Sequence, residues 1–204
     1  MTYDAVIFDL LTALLDSWTL WNDVAGSTDD GLHWRRRYLE LTYGCGAYRP
    51  YELLVREAAR EAGLPERLAD ELERRWDELQ PWPEARQVLG ALPVPLAVAT
   101  NCSIRLGERA ARRVGVPFKA VITAESAGFY KPRPEPYRAV LAALGTAPER
   151  TLFVAGSASD VPGAKAVGMP VYWHNRIGLE ARDATRPDRL EPNLDKLAEL
   201  FAAG

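Results

Sequence analysis

The stretch AVIFDLLTALLD, residues 5–16, decides how the rest of the chain can fold. It begins with apolar residues and places a single carboxylate, Asp9, inside the apolar run. A short apolar run of this kind is typical of a strand that is buried on both faces of a parallel sheet. We therefore predict a buried strand over residues 5–11, with Asp9 at its carboxyl end.

Four further segments have the same apolar character, namely residues 95–101, 120–123, 151–157 and 170–174. Helical patterns lie between them at residues 104–115, 134–145 and 160–168, and each of these patterns stops at a glycine. Strands that alternate with helices indicate a parallel sheet covered on both faces. The fold class predicted is therefore α/β, with a Rossmann-like parallel sheet as its core.

Residues 17 to about 86 break this alternation. Strand patterns are missing, and helical patterns cover residues 31–44, 50–63 and 65–79. Pro81 and Pro83 then interrupt the chain before helical character resumes at residues 84–92. We predict a helical cap formed by residues 16–86, inserted into a core formed by residues 1–15 and 87–204.

Composition excludes several classes of partner. The 204 residues suffice for one well-cored domain that carries a smaller insertion. A net charge of −3 provides no basic surface for nucleic acid, and no apolar run approaches the roughly 18 residues of a membrane span. We expect no nucleic acid and no membrane among the partners.

The cysteines and the N-terminus indicate a cytoplasmic protein. Cys45 and Cys102 are the only cysteines, too few for a disulfide framework and without CxxC spacing. The first residues lack the basic region and the cleavage pattern of a signal peptide. Apolar surface on the cap would be compatible with a homodimer.

Polar residues follow the predicted strands. In an open parallel sheet, ligands bind beyond the carboxyl ends of the strands. The residues at these ends and in the adjoining loops are Asp9, Thr100, Asn101, Lys131, Ser157 and Asp160. Each has a structural alternative, since Asp9 could cap a turn and Asp160 could cap a helix. Their convergence at one edge of the sheet favours a functional site.

Four segments, in matching order, resemble the motifs of the haloacid dehalogenase superfamily of hydrolases. They are VIFDLLTALLD (6–16), LAVATN (96–101), YKPRPEPY (130–137) and LFVAGSASDVPGAKAVGM (152–169). The resemblance is closest to the L-2-haloacid dehalogenases, which lack a second acid after the nucleophile; Leu11 stands there in this chain. It implies a Rossmann-like core with an inserted helical cap.

The resemblance also implies roles for individual residues. It assigns catalysis to Asp9, Thr100, Lys131 and Asp160. Substrate binding is implied for Leu10, Leu11, Arg35, Asn101, Tyr137 and Ser157. Ala13 stands where the family has a threonine that orients the nucleophile, while Ala155 and Ser157 replace a serine and an asparagine.

Chemistry favours halide displacement over phosphoryl transfer. A phosphatase of this superfamily needs an acid to protonate its leaving group and Mg²⁺ to neutralise phosphate. Leu11 removes that acid, and Gly156 stands where the phosphatase pattern has an aspartate. Halide leaves without a proton. We predict hydrolytic dehalogenation of a small anionic 2-haloacid through an aspartyl ester, without a metal or other cofactor.

Two alternatives stay open at this point. One is a Mg²⁺-dependent small-molecule phosphatase whose metal is held by Asp9 and Asp160. The other is a binding protein that kept the fold and lost turnover, which Ala13 and Ala155 would favour.

Overall fold

A single six-stranded parallel sheet forms the centre of the computed structural model, which describes residues 3–201. The strands are β1 (Ala5–Phe8), β2 (Leu96–Thr100), β3 (Ala120–Thr123), β4 (Thr151–Ala155), β5 (Val171–His174) and β6 (Arg189–Glu191). Their order is β3-β2-β1-β4-β5-β6, and every neighbouring pair is parallel. The predicted α/β fold is confirmed.

The sheet is covered on both faces, as predicted. Val6 and Phe8 of β1 point into one hydrophobic cluster, and Ile7 points into a second one on the opposite face. Four helices follow the strands: α6 (Ile104–Val114), α7 (Ala124–Ala127), α8 (Pro134–Leu144) and α9 (Asp160–Ala166). Buried residues of α6 belong to the first cluster, and those of α8 and α9 to the second.

Predicted and observed elements differ mainly at their ends. The first strand stops at Phe8 rather than at residue 11, because residues 10–14 turn back towards the Asp9 side chain. Strand β6 was not predicted, since its three residues are largely exposed and carry no apolar run.

Five helices lie between β1 and β2, and the first four of them fall within the predicted cap of residues 16–86. They are α1 (Ser17–Ala25), α2 (Thr28–Gly44), α3 (Tyr51–Glu61), α4 (Arg67–Arg74) and α5 (Ala85–Gly90). Helix α1 was not predicted. The helix predicted over residues 65–79 ends at Arg74 and continues as a 3-10 turn, where the buried Trp76 indole donates a hydrogen bond to the carbonyl of Leu106 (2.9 Å).

The two ends of the cap region lie side by side. The Asp16 N–H donates to the carbonyl of Gln80 (2.8 Å), and the Trp82 N–H donates to that of Leu14 (2.9 Å). The boundaries at residues 16 and 86 stay a prediction, since α5 spans the second of them. No helix within residues 3–201 combines the length and apolar character needed to cross a bilayer.

Candidate active site

A buried ion triad lies at the carboxyl edge of the sheet. The Lys131 Nζ atom is 2.9 Å from Asp9 Oδ1 and 3.0 Å from Asp160 Oδ2. Asp9 directly follows β1, Lys131 lies in the loop after α7, and Asp160 begins α9. Residues that are far apart in sequence thus meet because parallel strands end at one edge.

The electrostatic environment shifts the pKa values of the two carboxylates in opposite directions. Burial acts to raise the pKa of Asp9, but the Lys131 ammonium and the hydrogen bonds from Thr12 outweigh it, so this pKa is lowered. At Asp160 burial prevails over Lys131, and the pKa is raised. Burial also acts against the charge of Lys131, but Asp160 and Asp9 raise its pKa. Asp9 is therefore held in its ionised form, and Asp160 is the stronger base of the two.

Three donors hold the second oxygen of Asp9. Asp9 Oδ2 accepts hydrogen bonds from Thr12 Oγ1 (2.6 Å), Thr12 N (3.0 Å) and Ala13 N (3.2 Å). The hydroxyl that the family pattern places at position 13 is thus supplied from position 12. Across residues 3–201, Oδ1 accepts only from Lys131, so one lone pair of Oδ1 stays free.

Asp160 is held from behind by a tyrosine. The Tyr137 hydroxyl donates to Asp160 Oδ1 at 2.8 Å, and Tyr137 is fully buried. Gly163 leaves room for this contact, since a Cβ atom there would lie 2.6 Å from the hydroxyl. The structure corrects the predicted role of Tyr137: it positions Asp160 and does not border the substrate cavity.

A cavity of about 520 Å³ opens between the cap helices and the triad. The predicted site residues that line it are Asp9, Leu11, Arg35, Thr100, Asn101, Lys131, Ser157 and Asp160. The backbone N–H groups after Asp9, those of Leu10 and Leu11, are the groups predicted to bind substrate. The Leu10 side chain is fully buried in the hydrophobic cluster and does not reach the cavity, and the role of its N–H group stays a prediction.

Arg35 places an unneutralised cation in the wall of this cavity. Its Nη2 atom donates to Ser17 Oγ (2.9 Å), and its guanidinium lies 4.0 Å from the centre of the Trp18 ring. Its Nη1 atom is buried and has no hydrogen-bond partner among residues 3–201. Burial lowers the pKa of Arg35, but a guanidinium stays charged in proteins. A buried cation with a free N–H group suits an anionic ligand.

Asn101 lines the cavity and also fixes a neighbouring loop. Its side-chain amide donates to the carbonyl of Lys131 (3.0 Å) and accepts from the Lys131 N–H (2.7 Å). This pair of bonds fixes the loop that carries Lys131. Each polar side-chain atom of Asn101 makes one hydrogen bond to Lys131, which leaves one amide N–H and one lone pair, and its predicted part in substrate binding stays a prediction.

The residues present do not suit Mg²⁺. The Lys131 ammonium occupies the space between the nearest oxygens of Asp9 and Asp160, and its positive charge would repel a metal ion shared by the two carboxylates. Within residues 3–201 no group of three His, Cys, Asp or Glu side chains converges on one point. A side chain at position 156 would also collide with the turn after β1, since its Cβ atom would lie 2.2 Å from Ala13 N. A metal held by Asp9 and Asp160 is therefore not supported.

The fold and the site place a buried, ionised carboxylate at the carboxyl edge of a Rossmann-like sheet, beside a cavity that suits an anionic ligand. Residues 3–168 match the family model described as haloacid dehalogenase-like hydrolase. The chain belongs to this family.

Known members are similar over most of their length. The chain is 32% identical to haloacetate dehalogenase H-2 of Moraxella sp. (strain B), covering 85% of this chain and 84% of that protein. It is 29% identical to (S)-2-haloacid dehalogenase of Xanthobacter autotrophicus, covering 87% and 77%. The structure of L-2-haloacid dehalogenase from that organism superimposes with a TM-score of 0.86, 26% identity and 99% coverage of both chains.

Proposed function

We propose that the protein hydrolyses the carbon–halogen bond of a small 2-haloacid through an ester on Asp9. The observation that carries the proposal is the arrangement of the Asp9 carboxylate: Oδ2 is held by three donors, while Oδ1 keeps a free lone pair beside Lys131. Such a carboxylate is ionised, oriented and able to attack carbon. The names of the two relatives, which describe dehalogenases, support the same chemistry.

In the first step, Asp9 Oδ1 attacks the carbon that bears the halogen. The new bond joins Oδ1 to this carbon, and the halide leaves with the electron pair of the broken bond. Arg35 is assigned to the halide, because its positively charged side chain lines the cavity. Thr100 and Leu11 line the cavity, and the Thr100 hydroxyl and the Leu11 N–H are assigned to the substrate carboxylate.

In the second step, water attacks the Asp9 carbonyl carbon while Asp160 accepts a proton from the water. Negative charge gathers on Oδ2, where the donors from Thr12 and Ala13 are already in place. The bond between the carbonyl carbon and Oδ1 then breaks. Asp160 returns its proton to Oδ1, which leaves as the hydroxyl oxygen of a 2-hydroxyacid. The water oxygen stays in Asp9, and the second water proton is released to solvent as Asp9 returns to its ionised form. This route needs no metal or organic cofactor.

Hydrolysis in ¹⁸O-water tests the proposal. With 2-chloropropionate and enzyme in excess, we expect chloride release and one ¹⁸O atom in the peptide that contains Asp9, detected by mass spectrometry. Label in the 2-hydroxyacid alone would mean direct attack by water and would refute the ester. Release of phosphate from phosphate esters only with added Mg²⁺ would support the phosphatase alternative. Substrate binding without chloride release would support the binding-protein alternative.

The cavity predicts a preference for substrates with a side chain longer than methyl. Its volume of about 520 Å³ lies within the range of pockets that hold drug-sized ligands. Apolar residues Leu39, Tyr43 and Leu179 extend its lining beyond the triad. An added methylene in a hydrophobic pocket changes kcat/KM by roughly 10-fold or more. The kcat/KM for 2-chlorohexanoate should therefore be higher than that for 2-chloropropionate. Equal or falling kcat/KM along the series from chloropropionate to chlorohexanoate would contradict this.

We also propose a cytoplasmic location, for which the free thiols of Cys45 and Cys102 provide support. The homodimer stays a prediction, compatible with the exposed apolar side chains Leu53 and Ile104.

A further inference from the structure

Two residues outside the four motifs bind the peptide groups that hold the nucleophile. The N–H groups of Thr12 and Ala13, which donate to Asp9 Oδ2, belong to the Leu11–Thr12 and Thr12–Ala13 peptides. The carbonyl of the first peptide accepts from Ser17 Oγ (2.5 Å), and the carbonyl of the second accepts from Trp82 Nε1 (3.0 Å). Each peptide thus connects a side-chain donor to the nucleophile.

This arrangement strengthens the two N–H donors. A donor at the carbonyl end of a peptide increases the polarisation of its N–H end, because hydrogen bonds in a chain reinforce one another. Ser17 is fully buried and Trp82 is nearly so, which keeps water away from both bonds. The same contacts also fix the plane of each peptide, so that both N–H groups stay directed at Oδ2.

Both residues lie where the cap region joins the core. Ser17 begins α1 and accepts a hydrogen bond from Arg35 Nη2 (2.9 Å). Trp82 lies on the returning segment, where the Arg176 guanidinium lies 4.4 Å from its ring centre. Ser17 therefore also connects the proposed halide site to the peptide that binds Asp9.

We propose that Ser17 and Trp82 are positioning residues that act mainly in the second half of the reaction, the hydrolysis of the Asp9 ester. The inference rests on the proposed function and goes beyond it by assigning these two residues to one step.

The charge on Oδ2 explains why the two steps respond differently. During attack on the haloacid, charge leaves the Asp9 carboxylate, so donors at Oδ2 stabilise the reactant more than the transition state. During ester hydrolysis, charge returns to Oδ2, and the same donors stabilise the transition state. Weaker donors should therefore slow hydrolysis without slowing ester formation.

The test uses Trp82→Phe and Ser17→Ala with 2-chloropropionate as the probe. Each variant removes one side-chain donor to a peptide carbonyl and leaves the residues of the four motifs unchanged. Ser17→Ala also removes the hydrogen-bond acceptor of Arg35 Nη2, so ester formation and ester hydrolysis are measured separately in both variants. We expect kcat to fall about 10-fold, less than the roughly 10²- to 10³-fold loss for a donor that touches the oxyanion directly. Rapid-quench measurements should show a burst of one chloride per active site, and intact-protein mass spectrometry should show the ester accumulating on Asp9.

Trp76→Phe is the matched control, because it also removes a buried indole N–H, bonded at 2.9 Å to the carbonyl of Leu106, away from the nucleophile. It should show neither a new burst nor ester accumulation. If Trp82→Phe fails to fold, the smaller Ser17→Ala change decides the outcome.

Slower ester formation without accumulation in folded variants would overturn the inference while leaving the proposed function intact. Absence of both chloride and ester from the unsubstituted protein, across the series of 2-chloroacids, would instead refute the proposed function.

Discussion

Asp9→Asn is expected to abolish halide release, with kcat lowered about 10⁴-fold or more, as for other nucleophiles of covalent catalysis. The amide is nearly isosteric with the carboxylate, so the fold should persist while the attacking oxygen loses its charge. Chloride release under steady-state conditions measures the effect, and thermal unfolding confirms that the variant is folded.

A matched control for this change is Asp23→Asn, since Asp23 is exposed and lies 3.7 Å from Arg75 at the surface. It should leave kcat unchanged. Unchanged turnover in Asp9→Asn would contradict the nucleophilic role, once mass spectrometry has excluded conversion of the asparagine back to aspartate.

Lys131→Met should eliminate activity and destabilise the fold in a pH-dependent manner. The substitution leaves Asp9 and Asp160 buried without their shared ammonium, and removing one partner from a buried pair costs about 3–5 kcal/mol. We expect kcat to fall about 10³-fold, because Asp9 loses the cation that lowers its pKa. Urea unfolding at pH 7 measures the loss of stability.

The pKa values of Asp9 and Asp160 determine how the stability of Lys131→Met changes with pH. Without Lys131, the folded-state pKa values of Asp9 and Asp160 rise above those of the unfolded chain. A carboxyl group whose pKa is higher in the folded protein stabilises the fold at pH values below its pKa in the unfolded chain. This stabilisation is lost as pH rises through its pKa in the folded protein. The stability gap between Lys131→Met and the unsubstituted protein should therefore be widest at pH 7 and narrow towards pH 4.

Lys165→Met provides the comparison, since Lys165 forms a partly exposed pair with Asp188. Surface pairs contribute about 0–1 kcal/mol, so this variant should differ little from the unsubstituted protein at pH 7. The electrostatic account would be contradicted if the free energies of unfolding of Lys131→Met and the unsubstituted protein differed little at pH 7, or if their difference did not change with pH.

The parallel sheet and the members of the triad could be predicted because their signals are local. Buried strands such as residues 5–8 and 151–155 are continuous apolar runs, and the helices between them end at glycines. Once the strands are parallel, Asp9, Lys131 and Asp160 must approach the same edge of the sheet. Short elements such as β6 were missed because three exposed residues carry no periodic pattern.

The tertiary structure determines which role each side chain has at the carboxyl edge of the sheet. Thr12 supplies the hydroxyl that position 13 lacks, Tyr137 supports Asp160 from behind, and Leu10 is buried away from the cavity. These roles depend on the dihedral angles of one turn and on the direction of individual hydrogen bonds, which neither residue type nor spacing specifies.

The amino-acid sequence by itself determined the sheet, its order of motifs and the three charged residues of the triad. Only the tertiary structure brought Trp82 to the Thr12 carbonyl, 70 residues away, and Ser17 to the carbonyl of Leu11. The physical reason is that periodicity acts over a few residues within one element, whereas the polar contacts around Asp9 require the cap region and the core to be folded together.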